Sequence, residues 1–202
     1  MRLNESQRDY YTQKAKERNY PARSVFKLAE MDKKYSLVEE GDVILDLGCA
    51  PGSWLLYLSE KVGPSGKVVG VDFQKIKIEP RDNIILLKQD VLKVKPADLK
   101  KVCPVYRAVL SDLSPRLTGV FARDDAIMAE CCQKAFSLAQ ALLSEGGNFV
   151  CKMFESDFNG EFFQAVKKRF NFAKRYRPKA TPKRSREIYL VAKGYHRLAP
   201  IK

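Results

Sequence analysis

Between an apolar run, Val43 to Leu45, and a helix-like stretch, Leu55 to Val62, the chain reads Asp46-Leu47-Gly48-Cys49-Ala50-Pro51-Gly52-Ser53-Trp54. A strand, a glycine turn and a helix start in that order can hold a nucleotide-like ligand. Glycine lets the backbone come close, and the first helical turn offers unpaired N–H groups. Asp46, read as the strand end, adds an acceptor for a cationic or hydroxyl-bearing group. The segment is not a P-loop, because no Gly-Lys-Ser/Thr follows the second glycine. Nor is it a dinucleotide fingerprint, because Gly48 and Gly52 stand four apart. Trp54 has two roles open to it, covering the ligand or packing the helix. A purely structural strand–helix turn is the plainer alternative for the whole segment.

Four more polar residues close apolar runs: Asp72, Asp90, Asp112 and Lys152. In an open parallel sheet the ligand sits at the carboxyl ends of the strands, so these positions matter more than their number. Asp72, about twenty residues past the glycine turn, is placed to accept from a ribose diol, whether of NAD or of S-adenosylmethionine. Asp90 is suitably placed to accept from an adenine amino group. Any one of these aspartates also serves as an ordinary helix cap or loop residue. Lys152 lies within Phe149-Val150-Cys151-Lys152-Met153-Phe154, where a solvated lysine is out of place. Its dull alternative is an edge lysine snorkelling to water.

The elements that must hold these groups alternate. Strands are expected at 43–47, 67–72, 83–89, 108–112, 148–154, 172–177 and 187–193, and helices at 7–17, 24–35, 53–62, 97–102, 124–143 and 158–170. Pro64-Ser65-Gly66 and Glu145-Gly146-Gly147 punctuate strand starts. Buried-looking strands alternating with helices predict an α/β sandwich on a mostly parallel sheet. The last two strands, joined by a turn containing Pro178 and Pro182, predict an antiparallel pair.

Composition narrows the partners. At 202 residues, 45% hydrophobic and 30% charged, one globular domain is expected. No apolar run approaches the roughly 20 residues of a membrane span, and the acids Glu5 and Asp9 disfavour a secretory or import leader. Five cysteines without C-x-x-C spacing and a lone His196 argue against a metal site and for reduced thiols in a cytoplasmic setting. Cys49 has no histidine nearby to activate it and is expected to pack. The net charge of +13 is uneven: residues 167 to 202 hold 13 Lys/Arg and one acid, Glu187, leaving +1 for the rest. Aromatic Phe170, Phe172, Tyr176 and Tyr189 interleave with that charge, which points to a folded polyanion-binding surface more than a solvated tail.

Taken together, the segment 46–54, Asp72, Asp90 and Ser111-Asp112-Leu113-Ser114-Pro115 resemble the FtsJ/RrmJ family of S-adenosylmethionine-dependent RNA ribose 2′-O-methyltransferases. The resemblance runs along nearly the whole chain. It takes in Arg8-Asp9-Tyr10-Tyr11, Ala22 to Leu28, Gly147 to Phe154 and Ser185 to Val191. It implies a Rossmann-like methyltransferase fold: a seven-stranded, mostly parallel sheet, helices on both faces and an antiparallel last strand. It implies S-adenosylmethionine held by Asp46, Gly48, Gly52, Trp54, Asp72, Asp90 and Asp112, and Lys27, Asp112, Lys152 and Glu187 as a catalytic tetrad. Lys152 would take the ribose hydroxyl's proton. Lys27 would lower its pKa from nearby, and the two carboxylates would orient the lysines. Burial and a second amine favour neutral lysine while the carboxylates favour the charged form. In many relatives the positions of Arg116 and Thr118 carry Asn and Ser, a departure that bears on target identity.

The resemblance also implies RNA as partner, a uridine of large-subunit ribosomal RNA first and a tRNA anticodon loop second. Residues 1–35 would form a basic, RNA-contacting helical extension to a catalytic core at 41–202, acting as a monomer without metal or membrane. The 174–186 segment, with seven Lys/Arg and no acid, would grip the RNA backbone. Two other classes compete, a noncatalytic RNA-binding assembly factor and a nicotinamide-dependent oxidoreductase. The basic terminal region fits a small-molecule enzyme poorly.

Overall fold

Every run expected to be extended forms a strand: β1 (Val43–Leu47), β2 (Lys67–Val71), β3 (Ile84–Leu87), β4 (Tyr106–Ser111), β5 (Leu143–Phe154), β6 (Phe170–Tyr176) and β7 (Glu187–Tyr195). The computed structural model describes residues 3–115, 117–156, 158–182 and 184–197, with 3–9 and Phe158 described by backbone alone. The strands form one sheet in the order β3-β2-β1-β4-β5-β7-β6. Neighbours from β3 to β5 pair parallel, whereas β7 runs antiparallel to both β5 and β6. The mostly parallel sheet with a reversed last strand is therefore as expected.

Helices cover both faces. On one, α2 (Val25–Tyr35) and α3 (Ser53–Val62) bury Leu28, Met31, Leu55 and Leu58 against Ile44, Leu110, Val150 and Tyr189. On the other, α4 (Pro96–Val102), α5 (Phe121–Leu142) and α6 (Phe158–Lys167) enclose Leu45, Val109, Phe149 and Leu190. Each such side chain, taken out of water, contributes roughly 1.5–3 kcal/mol before the entropy of ordering it is set against that gain. The remaining helix, α1 (Leu3–Glu17), rests on α2 through Tyr11 and Phe26, whose rings lie 5.5 Å apart. Asp32 locks α2 to the segment leading into β1. Its carboxylate accepts from the backbone N–H groups of Leu37 and Val38 and from the Tyr57 hydroxyl at 2.6 Å.

Most boundaries move by a few residues, and the largest difference is at β5. Glu145-Gly146-Gly147 was expected to precede a strand starting at residue 148, yet β5 already begins at Leu143. Gly146 adopts φ +74°, and the pairing with β4 shifts register between Tyr106 and Ala108. The glycines make a bulge within the strand instead of a turn before it.

The chain runs outward from β1 to β2 and β3, then returns to place β4 on the other side of β1. At such a switch point the loops after adjacent strands part in opposite directions, and a crevice opens at their carboxyl ends. The turn after β1 and the loop after β4 form its walls.

Candidate active site

The crevice is a cleft of about 320 Å³, lined by Gly48, Asp72, Asp90, Asp112, residues 113–115 and, from α5, Ile127 and Cys131. Sequence spacing placed an acceptor after each of β2, β3 and β4, and all three reach this one cavity. Asp72 takes the backbone N–H of Ala50 at 2.9 Å and of Gln74 at 2.8 Å, so it also pins the glycine turn. A carboxylate has about four acceptor sites, leaving Asp72 capacity for a ligand diol. Asp90 accepts from the N–H of Leu92. Gly48, at φ +77°, would drive a Cβ to 2.9 Å from Leu113 Cδ2 and 3.0 Å from Leu113 Cα. Gly52 starts α3 at φ +116°, with space for a Cβ closed by Ile78. Gly48 thus brings the turn tightly against Leu113 of the far cleft wall, an approach that only glycine permits.

Beside the cleft two lysines and two carboxylates, far apart in sequence, meet. Lys152 Nζ donates to the Asp112 backbone carbonyl at 2.8 Å and lies 3.2 Å from Asp112 Oδ1. Lys27 Nζ pairs with Glu187 Oε2 at 2.6 Å. Tyr189 joins the two pairs. Its hydroxyl donates to Asp112 Oδ1 at 2.6 Å, and Lys27 Nζ lies 5.7 Å from its ring centroid. Strand register explains the gathering: Lys152 stands directly opposite Tyr189, and Glu187 opposite Phe154, across the β5–β7 ladder. Lys152 is only 4% exposed, so the snorkelling alternative fails.

The electrostatics are those of a dry, acidic pocket floor. Burial, then the Asp112 and Asp72 charges, hold the Asp46 carboxyl well above its ordinary range. Burial and the neighbouring Asp112 likewise push the Tyr189 hydroxyl well up, keeping it a neutral donor. Cys131 is pushed up to about 11, chiefly by burial, and Cys49 is pushed up by burial and by Asp46. Both thiols are packing groups at neutral pH. Among the described residues no cluster of three or more His, Cys, Asp or Glu could hold a metal.

Three sequence-predicted ligand residues, Asp46, Gly52 and Trp54, do not line the cleft. Asp46 lies inside β1, not at its end, and is fully buried with neither carboxylate oxygen hydrogen-bonded. It sits behind the glycine turn, on the sheet face of Ile44 and Leu110, and does not line the cleft. Trp54 is also buried, its Nε1–H donating to the Ser24 carbonyl and its ring tilted against Tyr189 at 6.1 Å. It wedges α3 against α2 and takes the packing role. Arg116 and Lys183 lie outside the described residues, as do the side chains of Arg8 and Asp9. Thr118 donates both N–H and hydroxyl to Asp124 Oδ1 and so shapes the loop before α5. Tyr189 is the residue that sequence reasoning missed, having been read only as an aromatic among charges. Its place two residues beyond Glu187 in β7 was the available signal.

A methyltransferase-type sheet whose switch-point cleft is walled by a glycine turn and three aspartates defines the class. The chain belongs to the FtsJ-like methyltransferase family, whose model matches residues 20–195. It is 41% identical over 186 residues to "Ribosomal RNA large subunit methyltransferase E" of Desulforapulum autotrophicum, covering 92% of both chains. A protein of the same name from Desulfatibacillum aliphaticivorans is 41% identical, with 91% of this chain and 89% of that protein covered. Among solved structures, a ribosomal RNA methyltransferase from Plasmodium falciparum superposes with a TM-score of 0.77 at 25% identity, covering 87% of this chain and 98% of that one.

Proposed function

We propose that this protein transfers a methyl group from S-adenosylmethionine to a ribose 2′-hydroxyl of RNA, with a uridine of large-subunit ribosomal RNA as its target. The observation that carries the reading is the meeting of Lys152, Asp112, Tyr189, Lys27 and Glu187 at the rim of an acid-lined nucleoside cleft. The names of the bacterial relatives support the ribosomal assignment.

The residues present fit the cofactor. Gly48 leaves backbone room, Asp72 keeps acceptor capacity for a diol, and Asp90, which accepts the Leu92 N–H, keeps capacity for an adenine amino group. When bound, S-adenosylmethionine supplies an electrophilic sulfonium methyl. The chain's own task is then to prepare an oxygen for attack, because a neutral hydroxyl attacks poorly. Lys152 takes the 2′-hydroxyl proton at Nζ, and Asp112 holds the resulting ammonium through Oδ1 and its carbonyl. Tyr189 fixes the Asp112 carboxylate by donating to it. Lys27, held by Glu187, lies over Tyr189 and presents its charge on the ribose side of the site. Residues 1–35 serve as an RNA-contacting extension to the catalytic part at 41–202, and the enzyme works as a cytoplasmic monomer.

The test is transfer of labelled methyl groups to ribosomal particles and, separately, to free tRNA, with the modified nucleotide then mapped. Label on a large-subunit uridine 2′-oxygen is expected. Label confined to tRNA overturns the target, and no transfer to either RNA overturns the activity. Lys152→Ala should abolish transfer while RNA retention on a filter is kept. Full activity in that variant would remove Lys152 from the role of base.

A further inference from the structure

The loop between β4 and α5 carries three large apolar side chains into solvent: Leu117, Val120 and Phe121, the last 71% exposed. Nothing in the proton-transfer machinery uses them. The loop is nonetheless built firmly, since the Asp124 carboxylate accepts from the N–H groups of both Thr118 and Gly119 and from the Thr118 hydroxyl. Behind Phe121 stands Arg186, whose guanidinium carbon lies 5.1 Å from the Phe121 ring centroid and 5.9 Å from that of Phe154. Two hydrogen bonds hold this guanidinium, to Asp125 Oδ2 and to the Glu155 carbonyl, both at 2.7 Å. Its charge is therefore answered within the protein, and it serves as a flat backing plate rather than a phosphate clamp.

We propose that Phe121, backed by Arg186, is a stacking platform for an unpaired RNA base flanking the target nucleotide. The inference rests on the RNA methyl-transfer reading and adds where the substrate strand lies. Three observations carry it. Arg186, which backs the ring, is the chain neighbour of Glu187, and the segment before Phe121 follows residues 113–115 of the cleft wall, so the platform stands at the lip of the site. An aromatic face open to water beside a seated guanidinium suits any base, since every base has a π-face. Exposed Arg184, two residues from Arg186, and Arg177, held on Glu155 whose carbonyl Arg186 also bonds, complement a phosphate backbone passing nearby, which a folded protein partner would not require. A target ribose can reach buried Lys152 only from an unstacked strand, and a neighbouring base lifted from its stack needs a new surface.

The experiment uses the full chain in three variants, Phe121→Ala, Phe121→Leu and Phe121→Trp. Wild-type transfer to ribosomal particles first establishes the underlying activity, so its absence would count against that reading and not against the platform. With activity in hand, Phe121→Ala and Phe121→Leu are expected to raise KM for RNA by about tenfold each with kcat kept, and Phe121→Trp to restore KM. Leucine retains apolar bulk and lacks the ring, so rescue by leucine overturns stacking. Because the only native tryptophan, Trp54, is buried, Phe121→Trp also reports directly. Its emission should be quenched by single-stranded oligouridylate and not by a chain of the same length made of abasic nucleotides. Equal quenching by both means a backbone contact and sinks the proposal. So does a defect on assembled particles without any quenching by RNA, which would assign Phe121 to a ribosomal protein.

Discussion

Asp112 Oδ1 receives two partners, the Tyr189 hydroxyl at 2.6 Å and Lys152 Nζ at 3.2 Å. Removing the hydroxyl leaves the carboxylate free to turn and Lys152 less firmly aimed. Tyr189→Phe should therefore lower kcat by about tenfold, on the order of one hydrogen bond to a charged group, with RNA affinity kept. Single-turnover methylation against filter binding separates the two quantities, and an unaltered kcat would deny Tyr189 its part. Asp46 makes a different prediction. Its folded-state pKa is raised, so at intermediate pH the native state binds a proton that the unfolded chain has released. Its contribution therefore erodes as pH rises from about 4, the unfolded carboxyl value, towards the folded one. Asp46→Asn should flatten the fall of Tm with pH over that window, read by thermal unfolding at several pH values; an unchanged slope would show that Asp46 ionises freely. The two residues also mark what a sequence conceals. Lys27, Asp112, Lys152 and Glu187 were legible through motif and apolar context. Tyr189 was not, because its partner depends on which strand lies beside β7. Asp46 was read as facing a ligand, whereas in β1 its side chain lies on the buried face of Ile44 and Leu110, which a strand-end reading does not reveal.

At the scale of elements the glycine turn after β1 is the most exposed to substitution. Gly48→Ala must bear a left-handed backbone, about 1–2 kcal/mol, and must also push Leu113 away from the turn. Stability should fall, and calorimetric affinity for S-adenosylmethionine should fall with it, because Leu113 belongs to the cleft wall. Gly63→Ala is the control: its φ is +64°, yet the nearest atom to a new Cβ is Glu40 Oε1 at an ordinary 3.5 Å. That variant should lose comparable stability with cofactor affinity intact. If both variants bind the cofactor equally, the close approach at Gly48 has no bearing on the site. Periodicity and punctuation made these elements legible, since long apolar runs admit few alternatives. The exception was the start of β5, where Gly146 and Gly147 bulge within a strand, and local sequence does not distinguish a bulge from a turn. Strand order was also beyond local reading, for β7 inserts between β5 and β6 instead of adding at the edge.

Along the chain, charge is segregated: nearly all the excess of +13 lies in the last 36 residues, with Lys174 and Arg175 on β6 and Arg177, Lys179, Arg184 and Arg186 between β6 and β7. Some of it is tied down, as in Arg177 with Glu155 and Arg186 with Asp125. Lys174 and Arg175 of β6 stay exposed and stand beyond β7 at the sheet edge. Replacing both by Gln should reduce the slope of log affinity against log salt by about one unit for each phosphate no longer engaged, with kcat retained at saturating RNA. A slope equal to that of the wild type would place the RNA elsewhere. The insertion of β7 has a further meaning for how the enzyme comes into being. Two of the five gathered residues, Glu187 and Tyr189, arrive on β7, and that strand must slot between two synthesised before it. The cleft walls carried by β1 to β4 thus precede the gathering of Tyr189 and Glu187 with Asp112 and Lys27, so the proposed proton acceptor is completed by the docking of a strand made after the cleft.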